Sequence, residues 1–196
     1  VQSGEKSKML EISMRVLPHA EQHAYAHKLL GRCLERYGID YKNSVVGKGE
    51  YGKPYLLNCS TVHYNLSDCS GMTVCYVGRY EAGVDAENVR PCPKKVMRRV
   101  FTQGETRLVE NAENPDLMFF RLWTLKESFV KAIGIGISYP MKTIEFSFGE
   151  SGITSNADGF VFSQHIISDR YVVSLCRISD PKKKSQALAR MQMQET

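Results

Sequence analysis

Apolar side chains recur at helical spacing near the start of the chain. From His19 to Tyr37 they return every three or four residues, so a helix over this range places them on one face, and Gly38 ends it. The predicted buried face consists of Ala26, Leu29, Leu30, Cys33, Leu34 and Tyr37. A helix with such a face needs an apolar surface to pack against.

A second long helix follows the sequence Asn114-Pro115. Asparagine is a favourable cap and proline a favourable first residue of a helix. The apolar pattern continues to about Ile133, and Gly134 is a suitable residue to end the helix. The predicted buried stripe consists of Leu117, Phe120, Trp123 or Thr124, Leu125 and Phe129.

Two shorter helices and several strands complete the predicted elements. Pro93 opens a helix that runs to Val100, and Thr102 and Glu105 form a capping box at the start of another. Strands are predicted at 62–66, 73–80, 84–87, 143–148, 159–166 and 171–178, with turns at 67–71 and 149–152 and a Gly- and Lys-rich loop at 43–58. Each half of the chain therefore has a long helix and a few antiparallel strands, which predicts an α+β fold.

Composition limits the possible partners. Hydrophobic residues make up 42% and charged residues 24% of the chain, as in ordinary globular proteins. The sequence shows no secretory signal and no run near the roughly 20 apolar residues of a membrane helix. The net charge of +5, without a long basic tract inside the fold, favours an anionic ligand or an acidic protein over nucleic acid. Lys182-Lys183-Lys184 is interpreted as part of a solvated polar tail.

The six cysteines show no Cys-x-x-Cys pair and no spacing typical of a zinc site. Several of them lie in apolar runs, as in Val74-Cys75-Tyr76. They are interpreted as reduced, mostly buried thiols, which is typical of a cytoplasmic protein.

Two carboxylates end a predicted buried strand in the sequence Gly83-Val84-Asp85-Ala86-Glu87. Asp85 and Glu87 are two residues apart, so both side chains point to one face of the strand. Adjacent carboxylates repel each other unless a cation lies between them, and Mg²⁺ prefers oxygen ligands. The alternative is a solvated strand end, because a short Asp-x-Glu motif is weak evidence by itself.

A third carboxylate and a lysine lie on the second long helix. Glu127 and Lys131 are four residues apart and are therefore neighbours on its surface. They could form an ordinary exposed ion pair, but the apolar neighbours Trp123, Phe129 and Val130 indicate a helix that is partly buried. Together, the carboxylates and the lysine could bind a divalent metal and neutralise a phosphate.

The loop that contains Lys48 and Lys53 has two interpretations. Gly-rich loops with lysines are common on protein surfaces. Such a loop can also bind phosphate through its lysines and backbone N–H groups.

These motifs resemble the signatures of 4'-phosphopantetheinyl transferases. The resemblance lies in Gly83-Val84-Asp85-Ala86-Glu87 and in the helix 123–132, and it extends to the segments 51–54 and 64–67. It covers about His19 to Arg177 and is greatest for the surfactin-synthetase-activating type, in which one chain holds two pseudo-symmetric halves. The fold implied is two such halves, each with a long helix packed on a small, mainly antiparallel sheet.

The resemblance implies an activity. Members of this family move the 4'-phosphopantetheine group of coenzyme A to a serine of an apo acyl or peptidyl carrier protein and release adenosine 3',5'-bisphosphate. By position, Asp85, Glu87 and Glu127 would hold Mg²⁺, with Mn²⁺ as an alternative. Glu127 would also accept the proton of the carrier serine, and Lys131 would bind the pyrophosphate.

The resemblance also implies a coenzyme A site. The residues assigned to it are Lys48, Lys53, Pro54, Asn65, Ser67, Asp68, Asp85 and Lys131, with Arg15 and Lys28 as candidates for the 3'-phosphate. Asp68 departs from the family, which usually has histidine there, because an ionised aspartate would repel a phosphate. Three outcomes are open: Asp68 turns away, a neighbouring lysine replaces the histidine, or coenzyme A binds weakly.

The predicted organisation is an N-terminal half at 1–82 on the nucleotide side, a C-terminal half at 83–180 with the metal and catalytic motifs, and a polar tail at 181–196. A monomer is expected because both halves of the site are in one chain. The alternatives are a non-catalytic relative that binds coenzyme A or a carrier, and a different Mg²⁺-dependent enzyme that processes nucleotides.

Overall fold

The computed structural model describes residues 9–136, 139–150 and 152–192. The outermost parts of the predicted N-terminal half and tail, 1–8 and 193–196, lie outside the described residues. The strands are β1 (Met9–Met14), β2 (Val46–Lys48), β3 (Pro54–Leu56), β4 (His63–Cys69), β5 (Met72–Gly78), β6 (Ala82–Asn88), β7 (Phe146–Gly149), β8 (Gly152–Ser155), β9 (Phe160–Ile167) and β10 (Tyr171–Ile178). The helices are α1 (His19–Glu35), α2 (Lys94–Val100), α3 (Gln103–Glu110), α4 (Pro115–Ile133) and α5 (Pro181–Gln192).

The two halves of the chain have the same strand order. In the first half, β4 and β5 form a hairpin and β1 pairs with β5, so the order is β1-β5-β4. In the second half, β9 and β10 form the hairpin and β6 pairs with β10, which gives β6-β10-β9. A long helix follows the first strand in each half, and a small two-stranded hairpin follows the helix. The α+β prediction with two similar halves is confirmed.

The two sheets pack face to face between the two long helices. Strand alternation gives each sheet one face toward a helix and one face toward the other sheet. Met72, Val74 and Tyr76 of β5 meet Val173 and Leu175 of β10 in the apolar layer between the sheets. Helix α1 covers the outer face of the first sheet, and α4 covers the outer face of the second.

Local sequence signals set the ends of the helices. The Thr102–Glu105 capping box is present at the start of α3, as predicted. Asn114 caps α4 through Leu117, and Gly134 ends this helix with φ +83°. Within the part of the chain that the structure describes, no helix is both long and apolar enough to cross a membrane.

Several strands differ from the prediction. Residues 43–58 contain the hairpin of β2 and β3 rather than only a loop, and β8 begins at Gly152, within a predicted turn. The pairing of β4 with β5 continues to Cys69 and Met72, because Gly71 with φ +85° allows a tight turn where a longer one was predicted. β1 was not predicted. These strands are short or lie at sheet edges, where the apolar pattern is weakest.

The interpretation of 181–196 as a solvated tail is wrong for its first part. Residues 181–192 form α5, whose Ala187 and Leu188 pack against the core of the second half. Lys184 forms an ion pair with Glu81 at 2.5 Å, and Lys183 forms one with Asp158 at 2.8 Å. Both acidic partners are distant in sequence from the lysines, so the run of positive charge alone did not indicate these ion pairs.

Candidate active site at the contact of β6 and α4

A close approach of α4 to β6 brings the two acidic motifs together. Gly83, Asp85 and Glu87 lie on the face of β6 that is turned toward α4. Gly83 has no side chain in the contact, and a Cβ there would lie 2.1 Å from the backbone oxygen of Ser128. One turn along α4, Lys131 reaches the strand, and its Nζ lies 2.7 Å from Asp85 Oδ1. Lys131 therefore pairs with Asp85 across the helix–strand contact.

The two carboxylate oxygens of Asp85 have different surroundings. Oδ1 accepts hydrogen bonds from Lys131 Nζ at 2.7 Å and from Ser67 Oγ at 3.2 Å. Oδ2 is buried and has no hydrogen-bond partner among the described residues. A buried carboxylate oxygen without a partner is costly, and a bound cation is one way to satisfy it.

Glu87 is held by Arg90, which was not predicted at the site, and by Trp123, which was predicted only as an apolar residue of the helix. Trp123 donates from Nε1 to Oε1 at 3.3 Å, and Arg90 donates from a guanidinium nitrogen to Oε2 at 2.7 Å. The Arg90 guanidinium in turn lies 4.6 Å from the centre of the Phe120 ring. A carboxylate held in this way has a fixed orientation at the edge of the site.

Glu127 lies close enough to the other carboxylates to be affected by their charges. Burial, together with the negative charges of Asp85 and Glu87, raises the pKa of Glu127 to about 7, although the positive charge of Lys131 acts in the opposite direction. A carboxylate with a pKa near neutrality can accept a proton from a substrate and release it again.

The residues fit a hard divalent cation in part. The buried, unpartnered Asp85 Oδ2 and the carboxylate charges around Glu127 match the oxygen ligands that Mg²⁺ prefers. Over 9–136, 139–150 and 152–192, no three His, Cys, Asp or Glu side chains converge into a preformed metal site. Both carboxylate oxygens of Glu87 are already hydrogen-bonded, one to Trp123 and one to Arg90.

Asn65 and Ser67 join the two sheets. They lie two residues apart on β4, and both point toward β6. The amide of Val84 donates to Asn65 Oδ1 at 2.8 Å, and the amide of Ala86 donates to Ser67 Oγ at 3.1 Å. Since β4 and β6 belong to different sheets, these side chains supply acceptors that a neighbouring strand would otherwise provide.

Asp68 lies on the opposite face of β4 from Ser67. It is exposed, and its Cα partner in the sheet is Thr73. Strand alternation therefore directs the Asp68 carboxylate away from Asp85 and Lys131. The three outcomes for coenzyme A binding stay predictions, because they concern a bound phosphate.

Lys53 connects the β2–β3 hairpin to the second half. Its Nζ donates to the backbone oxygen of Ala82 at 3.0 Å and to that of Ala132 at 2.7 Å. Burial lowers the pKa of Lys53 to about 8. Two of the three ammonium N–H groups are thus used within the protein, which leaves one for a ligand.

The lowered pKa of Lys53 should change how stability depends on pH. The folded state releases this proton near pH 8, whereas the unfolded chain retains it to about 10.5. Between these values the unfolded state binds more protons, so Lys53 favours folding increasingly as pH rises. We expect the stability difference between wild type and Lys53→Met to grow in favour of wild type over this window, measured by urea unfolding. Lys48→Met, which removes an exposed lysine, is the control for the loss of a positive charge, and a difference for Lys53→Met that does not grow over this window would contradict the prediction.

A cavity of about 270 Å³ adjoins Lys131. It unites several residues assigned to coenzyme A in the sequence analysis: Lys53, Pro54, Asn65 and Lys131. Its remaining lining is Tyr51, Gly52, Leu66, Gly134 and Gly136. Residues of the segments 51–54 and 64–67 therefore line the same cavity as the C-terminal end of α4.

Three predicted basic residues lie elsewhere. Arg15 and Lys28 line a separate cavity of about 1010 Å³ along α1, which shares no lining residue with the cavity beside Lys131. Lys48 is exposed at the end of β2 and does not line either cavity.

Lys126 has a structural role that its place beside Glu127 did not indicate. Its ammonium is fully buried and lies 2.8 Å from Glu105 Oε2, the same glutamate that completes the capping box of α3. Lys126 also donates to the backbone oxygens of Met141 and Ile144. The only sequence signal for this pair was the capping box, because the partners are brought together by the tertiary fold.

Removal of one partner of this buried pair should destabilise the protein. Glu105→Ala leaves the Lys126 ammonium without its carboxylate, and we expect the free energy of unfolding to fall by about 3 kcal/mol. The measurement is chemical unfolding followed by circular dichroism. The double variant Glu105→Ala/Lys126→Met should regain part of the loss, and equal stability of Glu105→Ala and wild type would contradict the prediction.

Comparison with known proteins decides the family. The family model of the 4'-phosphopantetheinyl transferase superfamily matches residues 81–176, which include Asp85, Glu87, Glu127 and Lys131. The chain belongs to the 4'-phosphopantetheinyl transferase superfamily. The resemblance seen in its motifs is thereby confirmed.

Curated relatives in this superfamily match part of their own length. A 4'-phosphopantetheinyl transferase of Bacillus subtilis is 33% identical over 140 residues, which are 66% of this chain and 62% of the relative. The 4'-phosphopantetheinyl transferase gsp of Aneurinibacillus migulanus is 33% identical over 59% of this chain and 51% of its own. The chain thus spans between half and two thirds of these relatives.

A solved structure of Thermotoga maritima holo-[acyl-carrier-protein] synthase has 21% sequence identity to the chain. The match covers 52% of this chain and 64% of that protein, with a TM-score of 0.45.

Proposed function

We propose that this superfamily member transfers the 4'-phosphopantetheine group of coenzyme A to a serine of an apo acyl or peptidyl carrier protein. Adenosine 3',5'-bisphosphate is the second product. The observation that carries the proposal is the buried Asp85 carboxylate, which has one oxygen on Lys131 and one without a partner, beside Glu127. This arrangement lies within the segment that matches the family.

Asp85, Glu87 and Glu127 are the residues proposed to hold Mg²⁺, or Mn²⁺ in its place. When bound, such a cation supplies positive charge that neutralises a pyrophosphate. The unpartnered Oδ2 of Asp85 supports this assignment.

Glu127 is proposed as the base. The carrier serine oxygen forms a bond to the phosphorus that carries pantetheine, and the serine proton passes to Glu127, directly or through a water. The pyrophosphate bond breaks, and the bridging oxygen leaves on adenosine 3',5'-bisphosphate. The raised pKa of Glu127 supports the role, because a base with a pKa near 7 is matched to proton transfer at neutral pH.

Lys131 is proposed to bind the pyrophosphate and to donate a proton to the leaving oxygen. Its ammonium donates to Asp85 and Ser67, which leaves the third N–H for a phosphate oxygen. Positioning and charge neutralisation then supply most of the rate acceleration, as in other phosphoryl transfers.

The nucleotide is proposed to lie in the cavity lined by Lys53, Pro54 and Asn65. This placement agrees with a nucleotide side in the half at 1–82 and catalytic motifs in the half at 83–180.

An acidic carrier protein suits the net charge of +5, because opposite charges favour association. We also propose a monomer, because both halves contribute to one site. A cytoplasmic location is consistent with six free thiols.

The test is intact-mass spectrometry of a panel of apo carrier proteins after incubation with this protein, coenzyme A and Mg²⁺. A gain of one phosphopantetheine that EDTA abolishes is the expected result. Coenzyme A binding without a gain on any carrier would favour the non-catalytic relative, and Asp68→His would then be tested for a gain of transfer. Hydrolysis of coenzyme A without a carrier would indicate the other Mg²⁺-dependent enzyme.

A further inference from the structure

Ser67 uses all the hydrogen bonds that a hydroxyl can make. A serine hydroxyl has one donor and two acceptor positions. Ser67 Oγ donates to Asp85 Oδ1 at 3.2 Å, and it accepts from Lys131 Nζ at 3.0 Å and from the Ala86 amide at 3.1 Å. The side chain is buried at 6% exposure.

This bonding differs from the role that the resemblance implied for Ser67. A hydroxyl that binds a coenzyme A phosphate must donate to a phosphate oxygen, but the one donor of Ser67 is directed to Asp85. Ser67 is also absent from the lining of the cavity beside Lys131, although its neighbours Asn65 and Leu66 line it. The geometry thus directs Ser67 to the carboxylate rather than to a ligand.

We propose that Ser67 is a positioning residue that orients Asp85 for the divalent cation. Together with Lys131 it engages Oδ1, which fixes the rotation of the carboxylate and leaves Oδ2 without a partner. This inference rests on the proposed function for the identity of the cation as Mg²⁺ or Mn²⁺. It makes the affinity of a cation at the carboxylates of the second half depend on a hydroxyl from the first half.

Asn65 provides a matched control on the same strand. Like Ser67, it accepts a hydrogen bond from a buried amide of β6 and has 6% exposure. The Asn65 side chain accepts this hydrogen bond from the amide of Val84, whereas the Ser67 hydroxyl also forms hydrogen bonds with Asp85 and Lys131. Ser67→Ala and Asn65→Ala therefore break the same kind of contact between the sheets, but only Ser67→Ala also removes a hydrogen bond from the Asp85 carboxylate.

The experiment measures two affinities on the full chain. Mn²⁺ binding is followed by electron paramagnetic resonance without nucleotide, and adenosine 3',5'-bisphosphate binding is followed by calorimetry in EDTA. For Ser67→Ala we expect Mn²⁺ affinity to fall by about 10-fold or more, as for other residues that orient metal ligands. Its nucleotide affinity in EDTA should stay within about twofold of wild type, and Asn65→Ala should retain the Mn²⁺ affinity of wild type.

The opposite pattern would overturn the proposal. Unchanged Mn²⁺ affinity with weaker nucleotide binding in Ser67→Ala would identify Ser67 as a ligand contact, and an equal loss of Mn²⁺ affinity in Asn65→Ala would indicate a general effect of the sheet contact. No Mn²⁺ binding by wild type would overturn it as well. If Ser67→Ala does not fold, Ser67→Cys replaces the strong donor with a weak one at similar size and is subject to the same criteria.

These outcomes are separate from those of the proposed function. A wild-type protein that binds Mn²⁺ with the expected dependence on Ser67, but modifies no carrier, would refute the transfer reaction and support the positioning role. If the protein transfers phosphopantetheine but Ser67→Ala leaves its Mn²⁺ affinity unchanged, the transfer reaction is supported and the positioning role of Ser67 is refuted.

Discussion

Glu127→Gln should lower the rate of phosphopantetheine transfer by about 100- to 10,000-fold, the range expected for loss of a general base. Glutamine has nearly the same shape as glutamate but cannot accept the serine proton. The structure places Glu127 where burial and the neighbouring carboxylates raise its pKa to about 7, so its ability to exchange a proton is the property removed. The measurement is the initial rate of carrier modification by mass spectrometry at saturating coenzyme A.

The control for this prediction is Glu110→Gln. Glu110 is an exposed glutamate at the end of α3, and its replacement should leave the rate unchanged. Circular dichroism and adenosine 3',5'-bisphosphate binding would show that Glu127→Gln is folded. A normal rate in the folded variant would exclude Glu127 as the base.

Gly83→Ala should destabilise the fold by about 3 kcal/mol or more, as expected when an atom is forced into a packed contact. A Cβ at this position would lie 2.1 Å from the backbone oxygen of Ser128 and 2.3 Å from the backbone nitrogen of Ala132. Neither atom can move by a side-chain rotation, so α4 must shift away from β6. The shift would also separate Lys131 from Asp85, and we expect transfer to be lost along with stability.

A glycine in open space separates this effect from the general effect of adding a methyl group. At Gly149, a Cβ would have no neighbour within 4 Å, so Gly149→Ala should change the free energy of unfolding by less than about 1 kcal/mol. Thermal unfolding of both variants makes the comparison. Similar stability of the two variants would show that α4 can move away from β6 without cost.

The sequence predicts the main elements of the fold and the residues at its chemical centre. Both long helices follow from apolar spacing, and the two ends of α4 follow from Asn114 at its start and Gly134 at its finish. Asp85, Glu127 and Lys131 are accessible to sequence reasoning because strand and helix periodicity fix the face on which each residue lies. Short elements such as β2, β3 and β8 were missed, because three or four residues carry too little pattern to distinguish a strand from a loop.

The partners of the candidate site residues could not be predicted in the same way. Lys53 was expected at a phosphate, but its ammonium also bonds to Ala82 and Ala132. Arg90 and Trp123 were not expected at Glu87. The contacts of Lys53 and Trp123 join residues that are distant in sequence, and only the tertiary packing brings these partners together.

The meeting of β4 and β6 makes two backbone hydrogens depend on side chains from the other half of the molecule. The amide of Val84 donates a hydrogen bond to the side chain of Asn65, and the amide of Ala86 donates one to the side chain of Ser67. Hydrogen exchange at these positions therefore reports the opening of the boundary between the sheets, whereas exchange elsewhere in β6 reports the opening of its pairing with β10. A ligand that bridges the two halves would slow hydrogen exchange at Val84 and Ala86 first. The exchange rates of these two amides therefore measure how stable the contact between the halves is.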